Sequence, residues 1–273
     1  AWALNRRGEI ADQAGDARNA FANFNAAIEY DRTCWLALHN RAISHAQAGD
    51  HEAALSDFGD VLLLNPGLTI AYRNRAELLS SLGRPAEALA DLDTAIEQSP
   101  NDPQLSLLRG DLRHRLQQYQ PAMEDFNRAL ELDPKNPAAF TARGNVLAEI
   151  GAFQQALAEY QKAIAADGQH GDAYRAAAWL LATCSDQRFR NPQHAWRAAQ
   201  QAAKLGRPDD PFIWEALAAA SASAGRFDQA VQYQQQALHL AGPAGGGAFR
   251  QRLALYEQSQ PYQSGVRQAS HVR

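Results

Sequence analysis

Arginine and acidic residues recur along this chain at a fixed spacing that could serve either phosphate binding or internal ion pairing. An arginine stands at every 34th residue from Arg7 to Arg143, and an acid or an asparagine follows each one 16 residues later. The pairs with a carboxylate are Arg41 and Asp57, Arg75 and Asp91, Arg109 and Asp125, and Arg143 and Glu159. A row of arginines could hold phosphate groups. Because each arginine has an acid at a constant distance, we expect structural ion pairs instead.

The other polar residues form no pattern that indicates an active site or a metal site. The eight histidines never show metal-ligand spacing, and His51-Glu52 lacks the second histidine of a zinc-protease motif. No serine or cysteine stands in a pattern with a base that would activate it. The glycine-rich stretch from Gly242 to Gly247 has no predicted strand before it and no Gly-Lys-Ser/Thr after it. We therefore expect no enzyme activity, no metal and no cofactor.

Composition narrows the class of protein further. Of 273 residues, 46% are hydrophobic and 21% charged, which excludes collagen, a disulfide scaffold and a wholly disordered chain. No apolar run approaches the roughly 18 residues that span a bilayer. The net charge of −4 argues against nucleic-acid binding. Two cysteines, Cys34 and Cys184, favour a reducing compartment, so we expect a cytoplasmic location. Because the sequence opens at Ala1, we also expect a piece of a longer polypeptide.

A 34-residue repeat supplies the helices that would position these side chains. Repeats 1–34, 35–68, 69–102, 103–136 and 137–170 follow one another without a gap. Position 20 is always alanine, position 8 is glycine or alanine, and position 24 is large, which predicts two closely crossing helices in each repeat. Glycines at position 15 predict helix ends, at Gly15, Gly49, Gly83 and Gly151. An aspartate or asparagine followed by proline predicts helix starts, at Asp102-Pro103, Asn136-Pro137 and Asp210-Pro211.

This pattern, with segments such as Ala129-Leu130-Glu131-Leu132-Asp133-Pro134, resembles the tetratricopeptide repeat (TPR) family. The resemblance implies an all-α, right-handed superhelical solenoid of about seven helix-turn-helix repeats. Two further repeats would cover 171–210, with a longer turn, and 211–244. A capping helix over 245–259 and a flexible tail over 260–273 would complete the chain. The C-terminal part also resembles TPR arrays of bacterial multidomain proteins.

The family resemblance also implies where a partner would bind. In TPR proteins, positions 2, 5, 9, 12 and 13 of each first helix face a concave groove. The residues that we expect to bind there are Leu36, His39, Ile43, Ile70, Arg73, Glu77, Leu107, Asp111, Arg115, Thr141, Asn145, Glu149, Arg175, Trp179 and Phe212. The known TPR clamp for a terminal carboxylate is excluded, because Asn5 and Glu9 stand where it needs lysine and asparagine.

Function at such a groove would be binding rather than catalysis. We expect a non-catalytic scaffold for a protein or peptide partner, basic and with apolar anchors, because acids outnumber bases at the groove positions. An alternative is the regulatory or docking array of a larger multidomain enzyme whose catalytic domain lies outside this chain. Nucleic-acid binding and membrane insertion are not expected, and self-association stays open.

Overall fold

The computed structural model describes residues 1–265, apart from the side chains of Pro243 and Ala244. These residues form 15 α-helices and one short 3₁₀ helix, and no β-sheet occurs within this range. The chain divides into two compact units, Ala1–Leu116 and Gln117 onward. No helix in the described part is long and apolar enough to cross a membrane.

The first unit is a row of helix pairs that pack in chain order. Its helices are α1 (Trp2–Gln13), α2 (Ala17–Tyr30), α3 (Trp35–Ala48), α4 (His51–Leu64), α5 (Thr69–Ser81), α6 (Pro85–Gln98) and α7 (Pro103–Arg115). Each of α1, α3 and α5 packs on the helix that follows it. In addition, α1 contacts α3 and α3 contacts α5. The first helices of repeats 1–3 therefore share one surface, which we call the α1–α3–α5 face.

The second unit follows the same plan and ends in an added helix. It contains α8 (Tyr119–Leu132), α9 (Pro137–Glu149), α10 (Phe153–Ala166), α11 (Gly171–Thr183), α12 (Pro192–Leu205), α13 (Pro211–Ser223), α14 (Phe227–Gly245) and α15 (Gly247–Glu257). The helix pairs are α9 with α10, α11 with α12 and α13 with α14, while α15 packs on α14. Contacts between α11 and α13 create a second shared surface, the α11–α13 face.

Small residues at position 8 allow the two helices of a repeat to cross closely. A methyl group added to Gly8 would lie 2.4 Å from the Phe24 ring, and one added to Gly144 would lie 2.5 Å from the Tyr160 ring. Phe24 and Tyr160 are each only 2% exposed. The rings thus fill the space that the missing side chains leave, as the alternation of small and large residues predicts.

The signals for helix ends act as predicted, with one exception and one addition. The turn glycines take positive φ angles: Gly15 76°, Gly49 85°, Gly83 72° and Gly151 84°. In the fourth repeat Gln117 takes this conformation, with a φ of 60°, although it carries a side chain. The predicted caps Asp102, Asn136 and Asp210 all accept backbone N–H groups of the first helical turn. Asn191, before Pro192, forms a further cap of the same type.

The C-terminal region differs from the expectation. Helix α14 is interrupted at Gly242, where φ is 66°, and α15 lies inside the range 245–259 of the expected capping helix. Residues 260–265 are not a free tail, because the Ser264 N–H donates to the Thr183 carbonyl at 2.8 Å. The expected flexible tail over 260–273 is therefore corrected for residues 260–265, and residues 266–273 lie outside the described part.

Candidate functional site

Three of the four expected ion pairs lie within one unit, and the structure forms all three. Arg41 donates two hydrogen bonds of 2.7 Å to Asp57. The equivalent distances are 2.7 and 2.6 Å from Arg75 to Asp91 and 2.8 and 2.6 Å from Arg143 to Glu159. The three carboxylates are only 5–6% exposed. These arginines neutralise buried acids inside their own repeats, which leaves them poorly placed to bind phosphate.

Three of the arginines also donate to the preceding repeat, a contact that the sequence reasoning missed. The guanidinium Nη1 atoms donate to side chains at position 25 of the repeat before: Arg41 to Asn25 at 2.9 Å, Arg109 to Asp93 at 2.7 Å and Arg143 to Asn127 at 2.8 Å. These partners lie 16 residues before the arginine, whereas the expected acids lie 16 residues after it. The same 16-residue spacing, counted towards the N-terminus from these arginines, would have indicated the second set of partners.

Arg75 departs from this double linkage. Gly59 occupies position 25 of the repeat before Arg75 and has no side chain to accept a hydrogen bond. Arg75 bonds Asp91, and its guanidinium lies 5.8 Å from the centre of the Tyr72 ring. Arg109 and Asp125, the fourth expected pair, belong to different units. Within its own unit, Arg109 pairs with Asp93.

A row of amide and imidazole side chains crosses the α1–α3–α5 face. The Asn40 side chain donates to the Asn5 Oδ1 atom at 3.0 Å, and the Asn74 Nδ2 atom lies 3.5 Å from His39 Nε2. Burial lowers the pKa of His39, with a further contribution from the charge of Arg73. His39 is therefore uncharged at neutral pH, and the row acts as a polar link between first helices rather than as a charged site.

Acids on this face are partly neutralised by arginines one helical turn away. Glu9 accepts from Arg6 at 2.7 Å, and this bond lowers the pKa of Glu9. Glu77 lies 3.9 Å from Arg73; the Glu77 side chain is 55% exposed and the Arg73 side chain 33% exposed. Sequence counting overlooked Arg6, which lies outside the expected groove positions. The face is consequently less acidic than expected.

Exposed apolar residues flank the polar row. Ile70 is 38% exposed and Trp2 is 73% exposed, while Leu36 and Ile43 are half-buried. Leu107 is only 8% exposed, so burial contradicts its expected role as an anchor.

The remaining expected residues of the first unit lie on α7. Burial raises the pKa of Asp111 to about 6, although His114 and Arg115 oppose the shift. Arg115 itself donates to the Ser80 hydroxyl at 2.8 Å. Asp111 is therefore mostly charged at neutral pH and neutral below about pH 5.

Expected groove residues on α9 are engaged inside their own unit. Thr141 is 6% exposed, and its hydroxyl donates to the Pro137 carbonyl. Asn145 accepts from the Tyr160 hydroxyl at 2.9 Å, and Glu149 accepts from the Tyr119 hydroxyl at 2.9 Å. Their expected role as partner-binding residues thus competes with internal hydrogen bonds.

The α11–α13 face is covered by the C-terminal end of the described chain. Arg252 on α15 pairs with the buried Glu215 and lies 5.4 Å from the centre of the Trp179 ring. Tyr262 lies 5.7 Å from the same ring, centre to centre. Burial raises the pKa of Glu215, and the charge of Arg252 opposes that shift.

The other two expected binding residues of this face are only partly available. Phe212 is 50% exposed, with its ring centre 5.8 Å from that of Phe249 on α15. Arg175 pairs with Asp172 at 3.1 Å and lies 5.8 Å from the Phe212 ring.

Protein-family models described as tetratricopeptide repeat match the sequence over residues 5–68 and 41–113. A further family model, described as TPR repeat, matches residues 110–151. The chain is a tetratricopeptide repeat protein. A TPR protein from Parabacteroides merdae has a similar solved structure, with a TM-score of 0.77 and 19% identity over 93% of this chain and 97% of that one. No curated protein matches the chain significantly.

Two other solved structures resemble this TPR protein. PilF of Pseudomonas aeruginosa has a TM-score of 0.60 and 17% identity over 81% of this chain and 98% of its own. YrrB, described as a TPR protein with an unusual peptide-binding site, has a TM-score of 0.50 and 23% identity over 70% of this chain and 95% of its own. At such identities the likeness shows the fold, and the predicted all-α TPR solenoid is confirmed.

The TPR protein also has a cleft on its second-helix side. The cleft lies between α2 and α4, with a volume of about 540 Å³, and its wall includes Leu63, which is 81% exposed. Across the described residues, no group of three or more His, Cys, Asp or Glu side chains is arranged to hold a metal ion. TPR proteins are in general non-catalytic scaffolds that bind protein or peptide partners.

Proposed function

We propose that this TPR protein is a non-catalytic scaffold that binds a protein segment across its α1–α3–α5 face. The observation that carries the proposal is the open surface there: Ile70 and Trp2 are exposed beside a polar row that links successive first helices. Exposed apolar side chains next to ordered polar groups are typical of a peptide-binding surface. YrrB offers a precedent for peptide binding on this fold.

The partner that fits this face is an extended or helical segment with apolar anchors and one or more basic residues. Apolar side chains would contact Ile70, Ile43 and Leu36, which supply the aliphatic part of the face. A lysine or arginine would bind near Glu77, because the Glu77 side chain is exposed and its 3.9 Å pair with Arg73 is too long for a hydrogen bond. Asp111 on α7, outside this face but in the same unit and mostly ionised at neutral pH, would add a second negative charge.

The proposed compartment rests on the state of the two cysteines. Both Cys34 and Cys184 are free thiols, and Cys184 is fully buried. Free thiols of this kind suit a reducing environment, so we propose a cytoplasmic location.

A matched pair of substitutions separates the proposed face from the cleft between α2 and α4. Peptides selected from a random display library against the full chain serve as ligands, with affinity measured by fluorescence anisotropy. Ile70→Asp places a charge on the α1–α3–α5 face, and Leu63→Asp places the same charge at the cleft. We expect Ile70→Asp to weaken binding at least about tenfold, the equivalent of 1.4 kcal/mol, and Leu63→Asp to leave it unchanged. The opposite result would move the site to the second-helix side and contradict the proposal.

A further inference from the structure

Helix α11 ends differently from the other first helices. After α3, the Asp50 N–H returns to the His45 carbonyl at 2.9 Å, and after α9 the Ala152 N–H returns to Leu147 at 2.8 Å. Such turns satisfy the carbonyls that a helix end leaves free. The residue after α11, Cys184, instead has φ −49° and ψ 131°, and the chain leaves in an extended direction.

The longer turn after α11 satisfies some of these carbonyls but not that of Thr183. The Asn191 N–H bonds the Leu181 carbonyl at 3.0 Å, and the Arg190 side chain bonds the Cys184 carbonyl at 2.6 Å. Phe189 anchors the turn, with its ring centre 5.7 Å from that of Phe153. The turn itself therefore provides no partner for the Thr183 carbonyl, which can accept a hydrogen bond from a neighbouring segment.

Residues 260–265 supply that neighbouring segment. Ser264 donates its N–H to the Thr183 carbonyl at 2.8 Å, and its hydroxyl lies 3.2 Å from that of Thr183. Cys184 and Ser264 form an isolated parallel β-bridge. Tyr262 and Ser264 are half-buried, whereas Pro261, Gln263 and Gly265 are exposed. This two-residue alternation is that of a strand lying on a surface.

An aromatic and cationic pocket receives the first inward residue of the segment. The Tyr262 ring lies 5.7 Å from the Trp179 ring, and the Arg252 guanidinium lies 5.3 Å from Tyr262 and 5.4 Å from Trp179. Stacking and cation–π contacts of this kind favour an aromatic side chain without demanding one particular sequence. The site thus recognises an aromatic residue and, two positions later, a backbone N–H with a small hydroxyl.

We propose that the end of α11 is a binding site for extended segments, occupied in cis by residues 260–265 and open to a partner segment bearing an aromatic residue two positions before serine or threonine. The mode is strand addition, in which main-chain bonds hold the segment and alternate side chains select it. The segment is half-exposed and is held by one main-chain bond, two hydroxyl hydrogen bonds between Ser264 and Thr183, and the contacts of the Tyr262 ring with Trp179 and Arg252. All of these contacts are non-covalent and lie at the surface, so exchange is feasible. This inference stands independently of the proposed function, which concerns the other unit.

The test uses the full chain and a labelled, end-blocked peptide with the sequence of residues 258–265. A release variant, Tyr262→Ala with Ser264→Pro, removes the ring contact and the donating N–H of the chain's own segment. We expect the peptide to bind the release variant at least about tenfold more tightly than the unmodified chain, because a tethered segment competes at an effective millimolar concentration. Adding Trp179→Ala to the release variant should abolish binding. Adding Trp196→Ala, which alters a tryptophan stacked on Arg226 instead, should preserve it.

Equal binding to the unmodified chain and the release variant would overturn the proposal, as would no binding to either, or binding insensitive to Trp179→Ala. Circular dichroism establishes that each variant is folded. Should the double change unfold the chain, Ser264→Pro alone replaces it, with Ser264→Ala as the matched control that keeps the N–H. The proline variant should then bind the peptide more tightly than the alanine variant, and equal binding would contradict the assignment.

Discussion

Equivalent repeat positions have different surroundings on the α1–α3–α5 face and on the α11–α13 face. Position 5 is Arg73 on the first face, where its side chain is 33% exposed and forms a loose 3.9 Å pair with Glu77. Position 5 is Glu215 on the second face, where it is 6% exposed and pairs with Arg252 of α15. A TPR position therefore does not define a ligand surface by itself; what the rest of the chain places over it decides whether it can bind a partner.

Exposure of the large apolar side chains also differs, although not at every position. Ile70 has no covering helix and is 38% exposed, whereas Trp179 is half-buried beneath Arg252 and Tyr262. Phe212 on the α11–α13 face remains 50% exposed, so the burial there is confined to residues beneath Arg252 and Tyr262. Substitutions should consequently affect binding on the first face and stability on the second.

The largest expected difference in stability is between substitution of Arg252 on the covered face and substitution of Arg73 on the open face. Arg252→Met leaves Glu215 buried without its charge partner and should lower the free energy of unfolding by about 3 kcal/mol or more. Arg73→Met, the matched change on the open face, should cost about 0–1 kcal/mol. Urea denaturation followed by circular dichroism measures both.

The pH dependence of stability provides a control for the comparison of the two arginine substitutions. Because burial raises the pKa of Glu215 above its unfolded value, its neutral form is favoured in the folded chain. The stability that this contributes is present at low pH and is lost as pH rises through the folded pKa. The cost of Arg252→Met should therefore be larger at pH 8 than at pH 5. Equal costs for Arg252→Met and Arg73→Met would show that the α11–α13 face is not covered.

A second prediction concerns Asp111, a half-buried acid whose pKa is raised to about 6 from an ordinary 3.8. Its neutral form stabilises the folded chain fully below the unfolded pKa, and this contribution is lost as pH rises through about 6. Asp111→Asn should therefore stabilise the chain by about 1–3 kcal/mol at pH 8 and have little effect at pH 4. Thermal unfolding at the two pH values measures this difference, and a stabilisation independent of pH would contradict the assignment.

The third prediction concerns Tyr262, whose ring contact ties residues 260–265 to the α11–α13 face. Tyr262→Ala should cost about 1 kcal/mol, the usual size of an aromatic pair, and should increase hydrogen exchange at the Ser264 amide. Tyr30→Ala is a suitable control because Tyr30 is 80% exposed, so its loss should be neutral. No change in exchange at Ser264 would mean that the ring does not hold the segment.

The smallest expected change in stability comes from charge reversal on the open face. Glu77→Arg should alter the free energy of unfolding by about 0.5 kcal/mol or less, as exposed substitutions usually do. It should nonetheless weaken binding of a basic segment and reduce the dependence of that binding on salt. Glu131→Arg, at a side chain 66% exposed on α8, controls for the general effect of charge. Tighter binding of basic peptides after Glu77→Arg would contradict the proposed charge preference.

Much of the fold could be read from the sequence because its determinants are local and repeat every 34 residues. Gly8 with Phe24, and Arg41 with Asp57, interact across one helix pair, so a constant spacing reveals them. The link from Arg41 back to Asn25 is also periodic, but its partner lies in the preceding repeat, whereas the expected pairs lie inside one repeat. Gln117 shows the limit of residue-type rules, since it takes a positive φ without being glycine.

The candidate site was harder to read because its accessibility depends on contacts outside the repeat. Nothing periodic connects Tyr262 to Trp179 or Ser264 to Thr183, which are separated by more than 80 residues. The longer turn after α11 is visible in the sequence, but its consequence, an open carbonyl at the helix end, depends on backbone geometry. Repeat position alone therefore predicted one groove, although some of its residues are open to solvent and others are covered by the C-terminal part of the described chain.

Hydrogen–deuterium exchange of the full chain, with and without a library-selected peptide, tests the central claim most directly. The account predicts added protection in α1, α3 and α5 on peptide binding, with no change in α2, α4 and α6. Exchange in α11 and in residues 260–265 should also be unchanged by a peptide that binds the open face. Protection confined to α2 and α4, or to the α11–α13 face, would contradict the account.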